Sequence, residues 1–517
     1  MMFKRTGTDK TIYACTIFLA LFGIVMIGDA SVGMSASEGS NFATKNLLKQ
    51  CLFVIVGLGF MFLFARAYKT RRISETLMLV TYGVCILMML TCIMWTINNS
   101  HAWIKIGPFT IQPVEFMKLT LIILLSYIFG VLPDQIRISP CLSKEKRNKL
   151  IWRKAVVCVF FPAFLVIFAF LICWKVQKDM GSGLILFIMA TCLFFATPSQ
   201  YYRPFKIIGL VGVLFLVLIF ILFHNFFLKS HQMARISSWL NPLKDIYGTN
   251  YQIINGFVGY TNGGLIGRGF GNSIMKFGYI PEAQSDFISS IIVEELGLVG
   301  FAAFFIPYSI IIYRLFRYAF AIKDSREKLT LIGIASYFFV HLMVNVGGVS
   351  GLIPMTGVPL LLISAGGTST LVALIGIGIA QAIIAKYNRE KKQEAIEKSI
   401  KELIDAIKEE ECFKNYHSSL SVFDYPDVKS LMNEMNRLKE EKEDLARFGS
   451  YCDSSHIQER MTDIRRELYR MPEMNAYLES YSELNKMLDE ITDIVFDDIS
   501  DELAKGRIGR SYARYSR

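Results

Sequence analysis

The sequence "YIPEAQSDFISSIIVEELGLVGFAAFFIPYSIIIY", residues 279–313, joins an acidic segment to a long apolar run. It carries Glu282, Asp286, Glu294 and Glu295 and no basic residue. A run of about 20 apolar residues is long enough to cross a bilayer as a helix. A carboxylate in such a helix costs about 2.5–3.5 kcal/mol on insertion scales, and ionisable groups retained there usually have a function. The stretch therefore predicts a membrane helix with a functional carboxylate at or near its start.

The composition of the whole chain agrees with a membrane protein. Of its 517 residues, 53% are hydrophobic and only 19% are charged, and the mean hydropathy is +0.40. These values are too apolar for an ordinary soluble protein and favour a polytopic membrane protein. The net charge of +11 comes from basic residues that lie between apolar runs, which argues against nucleic-acid binding.

An all-α fold with about ten transmembrane helices follows from the apolar runs. The predicted spans are residues 11–30, 48–67, 75–97, 114–133, 155–174, 181–197, 206–228, 286–313, 328–346 and 366–386. Every second connector is rich in Arg and Lys, so the positive-inside rule places both termini in the cytoplasm. A long connector before the eighth span, about residues 229–285, is predicted to lie outside and to fold onto the membrane surface.

The chain changes character after residue 387. Residues 388–517 are charged and favour helices, with apolar residues at helical spacing. We predict two domains, a transmembrane domain over residues 1–387 and a cytoplasmic helical extension over residues 388–517. Within the extension, the segment "RMPEMNAYLESYSELNKMLDEITDIVFDDIS" resembles small helical proteins of the YlbF type.

Five motifs occur in one order along the predicted spans: "GIVMIGDAS", "WIKIGPFTIQPVEFMKL", "QKDMGSGLIL", "NPLKDIYGTNYQ" followed by "GGLIGRGFGNSIMKFGYIPEAQSDF", and "GLIPMTGVPLLLISAGGTS". Over roughly residues 10–387 the sequence resembles the SEDS family of FtsW, RodA and SpoVE, and most of all its FtsW branch. The resemblance implies a peptidoglycan glycosyltransferase that polymerises lipid II at the outer face of the bacterial cytoplasmic membrane, during division, elongation or sporulation. It implies undecaprenyl pyrophosphate as the leaving group, and as partners a class B penicillin-binding protein and other division or elongation proteins.

The same resemblance implies that Asp286 is the catalytic residue, because it matches the family's essential aspartate. A carboxylate beside the acceptor hydroxyl would serve as general base. Two alternatives stay open from the residues alone. Asp286 could hold a divalent cation, Mg or Mn, against the pyrophosphate, or it could merely stabilise the helix macrodipole.

Six further residues are predicted to bind substrate: Trp103, Gln112, Glu115, Lys118, Arg235 and Lys276. Glu115 and Lys118 lie three residues apart, so their side chains can meet on a helix, and a purely structural ion pair is the alternative. Arg suits phosphate oxygens through its planar fork. Trp103 could stack on a sugar or lie in the interfacial belt. Of Glu294 and Glu295, one is expected to pair within the helix bundle.

Several motif positions depart from the family pattern, namely Ala102, Val114, Gln284, Ser285, Leu361 and Ala365. They leave two alternative functions open. One is a flippase for a lipid-linked precursor, because broken helices and charges near the midplane suit transport. The other is a weakly catalytic scaffold that recruits division proteins through its extension.

Overall fold

The first of the chain's two compact units is Met1–Glu390, and apolar helices build its described part. The computed structural model describes residues 7–34, 39, 41–96, 100–107, 109–136, 143–212, 214–215, 237, 239–248, 250–447 and 455–505. The helices that begin in this unit are α1 (Lys10–Ala30), α2 (Phe42–Ala67), α3 (Glu75–Thr91), α4 (Pro113–Gly130), α5 (Lys144–Val176), α6 (Met180–Ala196), α7 (Gln200–Gly212), α8 (Tyr251–Gly263), α9 (Ile288–Ala321), α10 (Ser325–Val349) and α11 (Gly367–Glu409), of which α11 continues past residue 390. Short helical turns cover Thr70–Arg72, Cys92–Met94, Leu132–Gln135 and Pro242–Asp245.

Eight helices in the described ranges are long and apolar enough to cross a membrane. They are α1 to α5 and α9 to α11, with α3 counted through Met94 and α4 through Gln135. The helices α6 and α7 pass this test only as a pair, and they are bent by 113° relative to each other. The predicted all-α polytopic fold is confirmed. The predicted seventh span, 206–228, falls largely outside the described residues, so the count of ten stays a prediction.

One small sheet interrupts the helical pattern. The strands β1 (Ile104–Ile106) and β2 (Phe109–Ile111) pair antiparallel, with Lys105 opposite Thr110. This hairpin leads directly into α4, whose first residue is Pro113. A proline is favoured there because its missing N–H has no partner in the first turn of a helix.

The helix α9 is broken near its start. Gly297 has φ 65° and ψ −155°, values that glycine adopts without steric cost. The freed backbone is paired with the preceding connector: Leu298 donates to the carbonyl of Gly264 at 3.0 Å, and Arg268 donates to that of Glu294 at 3.0 Å. Non-helical backbone is tolerated in a membrane protein where other protein covers it.

The helix α8 packs closely on the first part of α9. Added Cβ atoms at Gly256, Gly259 and Gly263 would collide with Phe287, Ser290 and Val293. Small residues of this kind let two helices approach closely. Burial raises the pKa of Tyr260 to about 12, so its phenol stays protonated and donates to Ser289 Oγ at 2.9 Å. The described part of the long connector is therefore folded, as its aromatic and aliphatic content predicted.

Between α10 and α11 the chain is non-helical from residue 350 to 366. We call these residues the crossing segment. Its apolar middle, Leu360–Ile363, is fully buried. An added Cβ at Gly23 of α1 would collide with the backbone of Leu362 and Ile363. A glycine in α1 thus allows the crossing segment to pack inside the bundle.

The chain divides into two compact units, Met1–Glu390 and Lys391–Arg517. The second contains α12 (Glu411–Ser419), a turn at Leu420–Asp424, α13 (Pro426–Arg447), α14 (Ser455–Tyr469) and α15 (Pro472–Lys505). It has its own core of buried side chains: Val422, Val428, Met435, Leu438, Ile457, Met461, Ile464, Leu468 and Met474. Arg460 of α14 also binds Glu434 of α13 through two contacts of 2.9 and 3.2 Å.

Candidate active site

Asp286 lies two residues before α9 and is half-buried. Its backbone carbonyl accepts a hydrogen bond of 2.9 Å from Asn345 Nδ2 of α10. An added Cβ at Gly357 would lie 3.1 Å from Asp286 Oδ2, so the carboxylate faces the crossing segment. Gly357 has φ +70°, a conformation that favours glycine. The predicted catalytic carboxylate is therefore held between the start of α9, α10 and the crossing segment.

The part of the crossing segment from Thr356 to Pro359 connects two helices, α6 and α10, to this site. The Val358 carbonyl accepts from Asn345 Nδ2 at 2.8 Å. The Pro359 carbonyl lies 3.1 Å from His341 Nδ1. An added Cβ at Gly181, at the start of α6, would lie 3.0 Å from the carbonyl oxygen of Thr356. Movement of α6 or α10 would therefore displace the backbone of the crossing segment next to Asp286.

Glu115 and Lys118 form the ion pair that their spacing predicted. Lys118 Nζ lies 2.7 Å from Glu115 Oε1, and the two residues are 0% and 1% exposed. Tyr337 donates to Glu115 Oε2 at 2.9 Å, and Lys118 Nζ lies 3.1 Å from His341 Nε2. Because His341 Nδ1 faces a carbonyl oxygen, it carries the ring proton and Nε2 accepts from the lysine. The pair is fully compensated inside the bundle and connects through His341 to Pro359.

Gln112 belongs to a second polar group at the start of α4. Its Nε2 donates to Asp179 Oδ2 at 3.0 Å and to Ser182 Oγ at 3.4 Å. Its backbone N–H donates to Thr368 Oγ1 at 3.2 Å. Asp179 also caps α6 by accepting from the Ser182 N–H. Gln112 thus joins α4, α6 and the start of α11, and it remains a predicted substrate contact.

Lys276 occupies a different environment from the open loop position expected of a phosphate-binding cation. It is 1% exposed, and its ammonium lies 2.7 Å from Asp29 Oδ1 and 2.8 Å from Glu295 Oε1. Each ion in such a buried pair is stabilised by its partners in place of water. Lys276 therefore forms a buried bridge between these two carboxylates.

Glu294 and Glu295 both hold the connector that precedes α9. Glu295 accepts from the backbone N–H of Gly271 and of Ser273, each at 3.1 Å. Glu294 accepts from the Ser273 hydroxyl and from the Met275 N–H. Sequence reasoning gave a pairing role to one of the two glutamates, and the structure gives it to both. The two carboxylates of α9 are therefore stabilised in the interior by hydrogen bonds from the connector and by the ion pair between Glu295 and Lys276.

The two remaining predicted substrate contacts are Arg235 and Trp103. Arg235 lies outside the described residues. Trp103 is half-buried just before β1, beside Ala102, which is fully buried. Both stay predictions for substrate binding.

Sequence reasoning passed over His341, Asn345, Gly357 and Tyr337. His341 and Asn345 carried a usable signal, since polar groups within an apolar span are costly and usually have a purpose. Gly357 carried none, because its closeness to Asp286 depends on the path of the crossing segment.

Comparison with known proteins matches residues 9–390 to the family model of FtsW, RodA and SpoVE, described as "Cell cycle protein". The chain belongs to this family. The predicted membership in the SEDS family is confirmed, and the matched residues lie within the first compact unit.

The family relatives include a sporulation protein and probable peptidoglycan glycosyltransferases. The chain is 30% identical over 395 residues to "Stage V sporulation protein E" of Bacillus subtilis, covering 75% of this chain and 100% of that protein. It is 32% identical over 410 residues to "Probable peptidoglycan glycosyltransferase FtsW" of Enterococcus hirae, covering 76% and 96%. A chain from a solved peptidoglycan synthase complex shares the fold, with a TM-score of 0.53 and 24% identity over 73% of this chain and 98% of that chain.

The extension has its own match. Residues 396–500 match a family model described as "Control of competence regulator ComK, YlbF/YmcA". The predicted likeness of this region to YlbF-type proteins is thereby confirmed. The SEDS unit of this chain is therefore followed by a second, unrelated type of helical domain.

Proposed function

We propose that this protein is a peptidoglycan glycosyltransferase that polymerises lipid II at the outer face of the cytoplasmic membrane, with Asp286 as its general base. The observation that carries the proposal is the half-buried Asp286, whose backbone carbonyl accepts from Asn345 and whose carboxylate lies beside Gly357 of the crossing segment. Membership in the FtsW/RodA/SpoVE family supports it, as do relatives named peptidoglycan glycosyltransferase.

The reaction forms a bond between an acceptor sugar hydroxyl and the anomeric carbon of a donor sugar. The bond from that carbon to the lipid pyrophosphate breaks, and undecaprenyl pyrophosphate leaves with the bonding electrons. Asp286 takes the hydroxyl proton as the new bond forms. A carboxylate within hydrogen-bond reach of the hydroxyl can fill this role.

The Glu115–Lys118 group acts on this site through position. Its four side chains are bonded to one another, and His341 carries the connection to the Pro359 carbonyl. Such a network keeps the crossing segment in one arrangement, and small displacements of a catalytic group are costly in rate. We propose the predicted substrate contacts Trp103, Gln112 and Arg235 for the remaining polar parts of lipid II.

A divalent cation, Mg or Mn, belongs to the proposal in a limited form. Among the described residues, no group of three or more His, Cys, Asp or Glu side chains is arranged to hold a metal ion. Asp286 would therefore share the ion with substrate phosphates, which is how Mg²⁺ is commonly held. When bound, it would neutralise charge on the departing pyrophosphate.

We also propose a class B penicillin-binding protein as the partner that cross-links the strands, and a cytoplasmic location for both termini. The solved relative is described as coordinating polymerization and crosslinking. Reporter fusions at each terminus test the orientation, and a periplasmic or external signal from either fusion would contradict it. Co-purification with candidate transpeptidases tests the partner.

The function is tested with purified protein and labelled lipid II. Wild type, Asp286→Asn and the control Glu282→Gln are compared with and without the partner and with Mg²⁺ or Mn²⁺. Glu282 is a suitable control because it is a half-buried carboxylate in the same segment. We expect polymer from wild type and Glu282→Gln and none from Asp286→Asn.

Two results would contradict this proposal. Equal polymer from Asp286→Asn would make Asp286 a structural acid. Lipid II translocation into vesicles by wild type, without polymer under any condition, would favour the flippase.

A further inference from the structure

Three oxygen atoms around Asp286 are buried and have no hydrogen-bond partner among the described residues. They are Asn345 Oδ1, Gln284 Oε1 and Thr356 Oγ1. A buried polar group without a partner costs about 1–3 kcal/mol, and folded proteins retain few of them. Each belongs to a residue that contacts Asp286 or lies within two residues of Asp286 or Gly357, so a ligand bound at Asp286 can supply the missing donors.

The orientation of the Asn345 amide is determined by its surroundings. Nδ2 donates to two backbone carbonyls, of Asp286 at 2.9 Å and of Val358 at 2.8 Å. Since Oδ1 cannot donate, a flipped amide would lose both bonds. Oδ1 is therefore the atom left without a donor, in a side chain whose residue is 1% exposed.

The other two oxygens belong to residues next to the Asp286–Gly357 contact. Gln284 lies two residues before Asp286 and is 8% exposed. Its backbone carbonyl accepts from the Ala365 N–H at 2.9 Å. Thr356 immediately precedes Gly357, whose added Cβ would lie 3.1 Å from Asp286 Oδ2. The three residues therefore belong to the same three elements that hold the carboxylate.

We propose that Asn345, Gln284 and Thr356 form a sugar subsite that accepts hydrogen bonds from hydroxyl and acetamido N–H groups of the substrate. The proposal rests on the proposed glycosyltransferase function. Amide oxygens only accept, and the threonine hydroxyl can do both, so the group requires a ligand with several donors. Sugars carry such donors on neighbouring atoms.

These three oxygens suit a sugar better than the two other groups that the reaction brings to the site, the pyrophosphate and a divalent cation. A pyrophosphate presents acceptor oxygens and negative charge, so it would approach Asp286 only through a bound cation and would leave the amide oxygens without donors. A divalent cation shared by Asp286 and the substrate phosphates takes its ligands from those groups, whereas the sugar supplies the donors that these neutral oxygens lack. The subsite thus orients the sugar end of lipid II at Asp286 and presents a hydroxyl to its carboxylate.

Thr356→Val isolates the subsite, because it keeps the side-chain shape and removes a hydroxyl that has no hydrogen-bond partner among the described residues. Gln284→Met does the same for the glutamine oxygen, and Thr356→Ser is the control that keeps a hydroxyl. Binding of lipid II and of undecaprenyl pyrophosphate, which lacks the sugars, is measured for full-length protein in nanodiscs, together with thermal unfolding and with Mn²⁺ binding alone.

We expect Thr356→Val and Gln284→Met each to weaken lipid II binding about 3- to 10-fold, since a neutral hydrogen bond contributes about 0.5–1.5 kcal/mol. Undecaprenyl pyrophosphate binding and the melting temperature should not fall, and Thr356→Ser should bind lipid II like wild type.

Equal weakening for both lipids, or loss of Mn²⁺ binding, would overturn the sugar assignment in favour of phosphate or a cation. Unchanged lipid II binding in both variants would show that there is no subsite. Failure of wild type to polymerise would count against the proposed function only, because the binding comparison decides the subsite separately.

Discussion

Lys276 bridges two carboxylates, Asp29 and Glu295, that come from distant parts of the chain. Removing one partner of a buried ion group typically costs about 3–5 kcal/mol, because the remaining charge stays uncompensated. We therefore expect Lys276→Met to lower the melting temperature markedly, and Lys276→Met with Glu295→Gln to recover part of the loss. Thermal unfolding in detergent measures this. A variant with wild-type stability and reduced lipid II affinity would instead support the substrate role predicted from the sequence.

Glu115 and Lys118 permit a sharper measurement, since both are buried and bonded to each other at 2.7 Å. We expect Glu115→Gln and Lys118→Met each to destabilise the protein by about 3–5 kcal/mol and the double variant to lose less than the sum. A double-mutant cycle of unfolding free energies gives the coupling. Strict additivity would show that the pair contributes nothing as a pair.

At the scale of elements, the break in α9 at Gly297 shapes the connector before the site. An added Cβ there would lie 2.5 Å from the Leu265 backbone, and φ is 65°. We expect Gly297→Ala to lower stability by more than about 2 kcal/mol, because both the clash and the backbone strain act. The control is Gly83→Ala in α3, where the added Cβ would meet nothing within 4 Å. Equal melting temperatures for the two variants would contradict the break.

The crossing segment makes a prediction about rate. In Gly357→Ala the new methyl would press on Asp286 Oδ2, and an alanine would be strained at φ +70°. We expect polymerisation to fall roughly 10-fold, because the close contact and the backbone strain displace the carboxylate slightly, and a displacement of about 1 Å can cost about 100-fold in rate. Gly278→Ala is matched, with φ +89° and no atom within 4 Å of the added Cβ. Similar rates for both variants would separate Gly357 from catalysis.

At the scale of the whole molecule, the two compact units have separate cores. We expect a chain ending at Glu390 to fold and to polymerise lipid II with its partner. We expect residues 391–505, produced alone, to unfold cooperatively with high helical content. Polymerisation assays and circular dichroism test these outcomes, and an inactive or aggregated chain 1–390 would show that the units depend on each other.

The charged helical extension is predicted from its sequence to bind a cytoplasmic protein. Deleting it should leave polymerisation intact and change the set of co-purified proteins or the cellular location. Unchanged location and partners would contradict this role.

The sequence by itself determined the features that depend on neighbouring residues. Apolar runs of about 20 residues specify membrane helices because the bilayer selects them by length and polarity. The Glu115–Lys118 pair followed from helical spacing, and ordered motifs were sufficient to indicate the family. The change in composition near residue 387 predicts a domain boundary, and the two compact units divide after Glu390.

Only the tertiary structure decided which distant groups meet. Lys276 lies 247 residues from Asp29 along the chain, and Asn345 lies 59 residues from Asp286. Nothing in the local sequence distinguishes a loop lysine that binds phosphate from one that neutralises the interior, or a glycine that faces solvent from Gly357 beside the carboxylate. The difference arises from burial: a polar group removed from water must find its partner wherever the packed helices bring one.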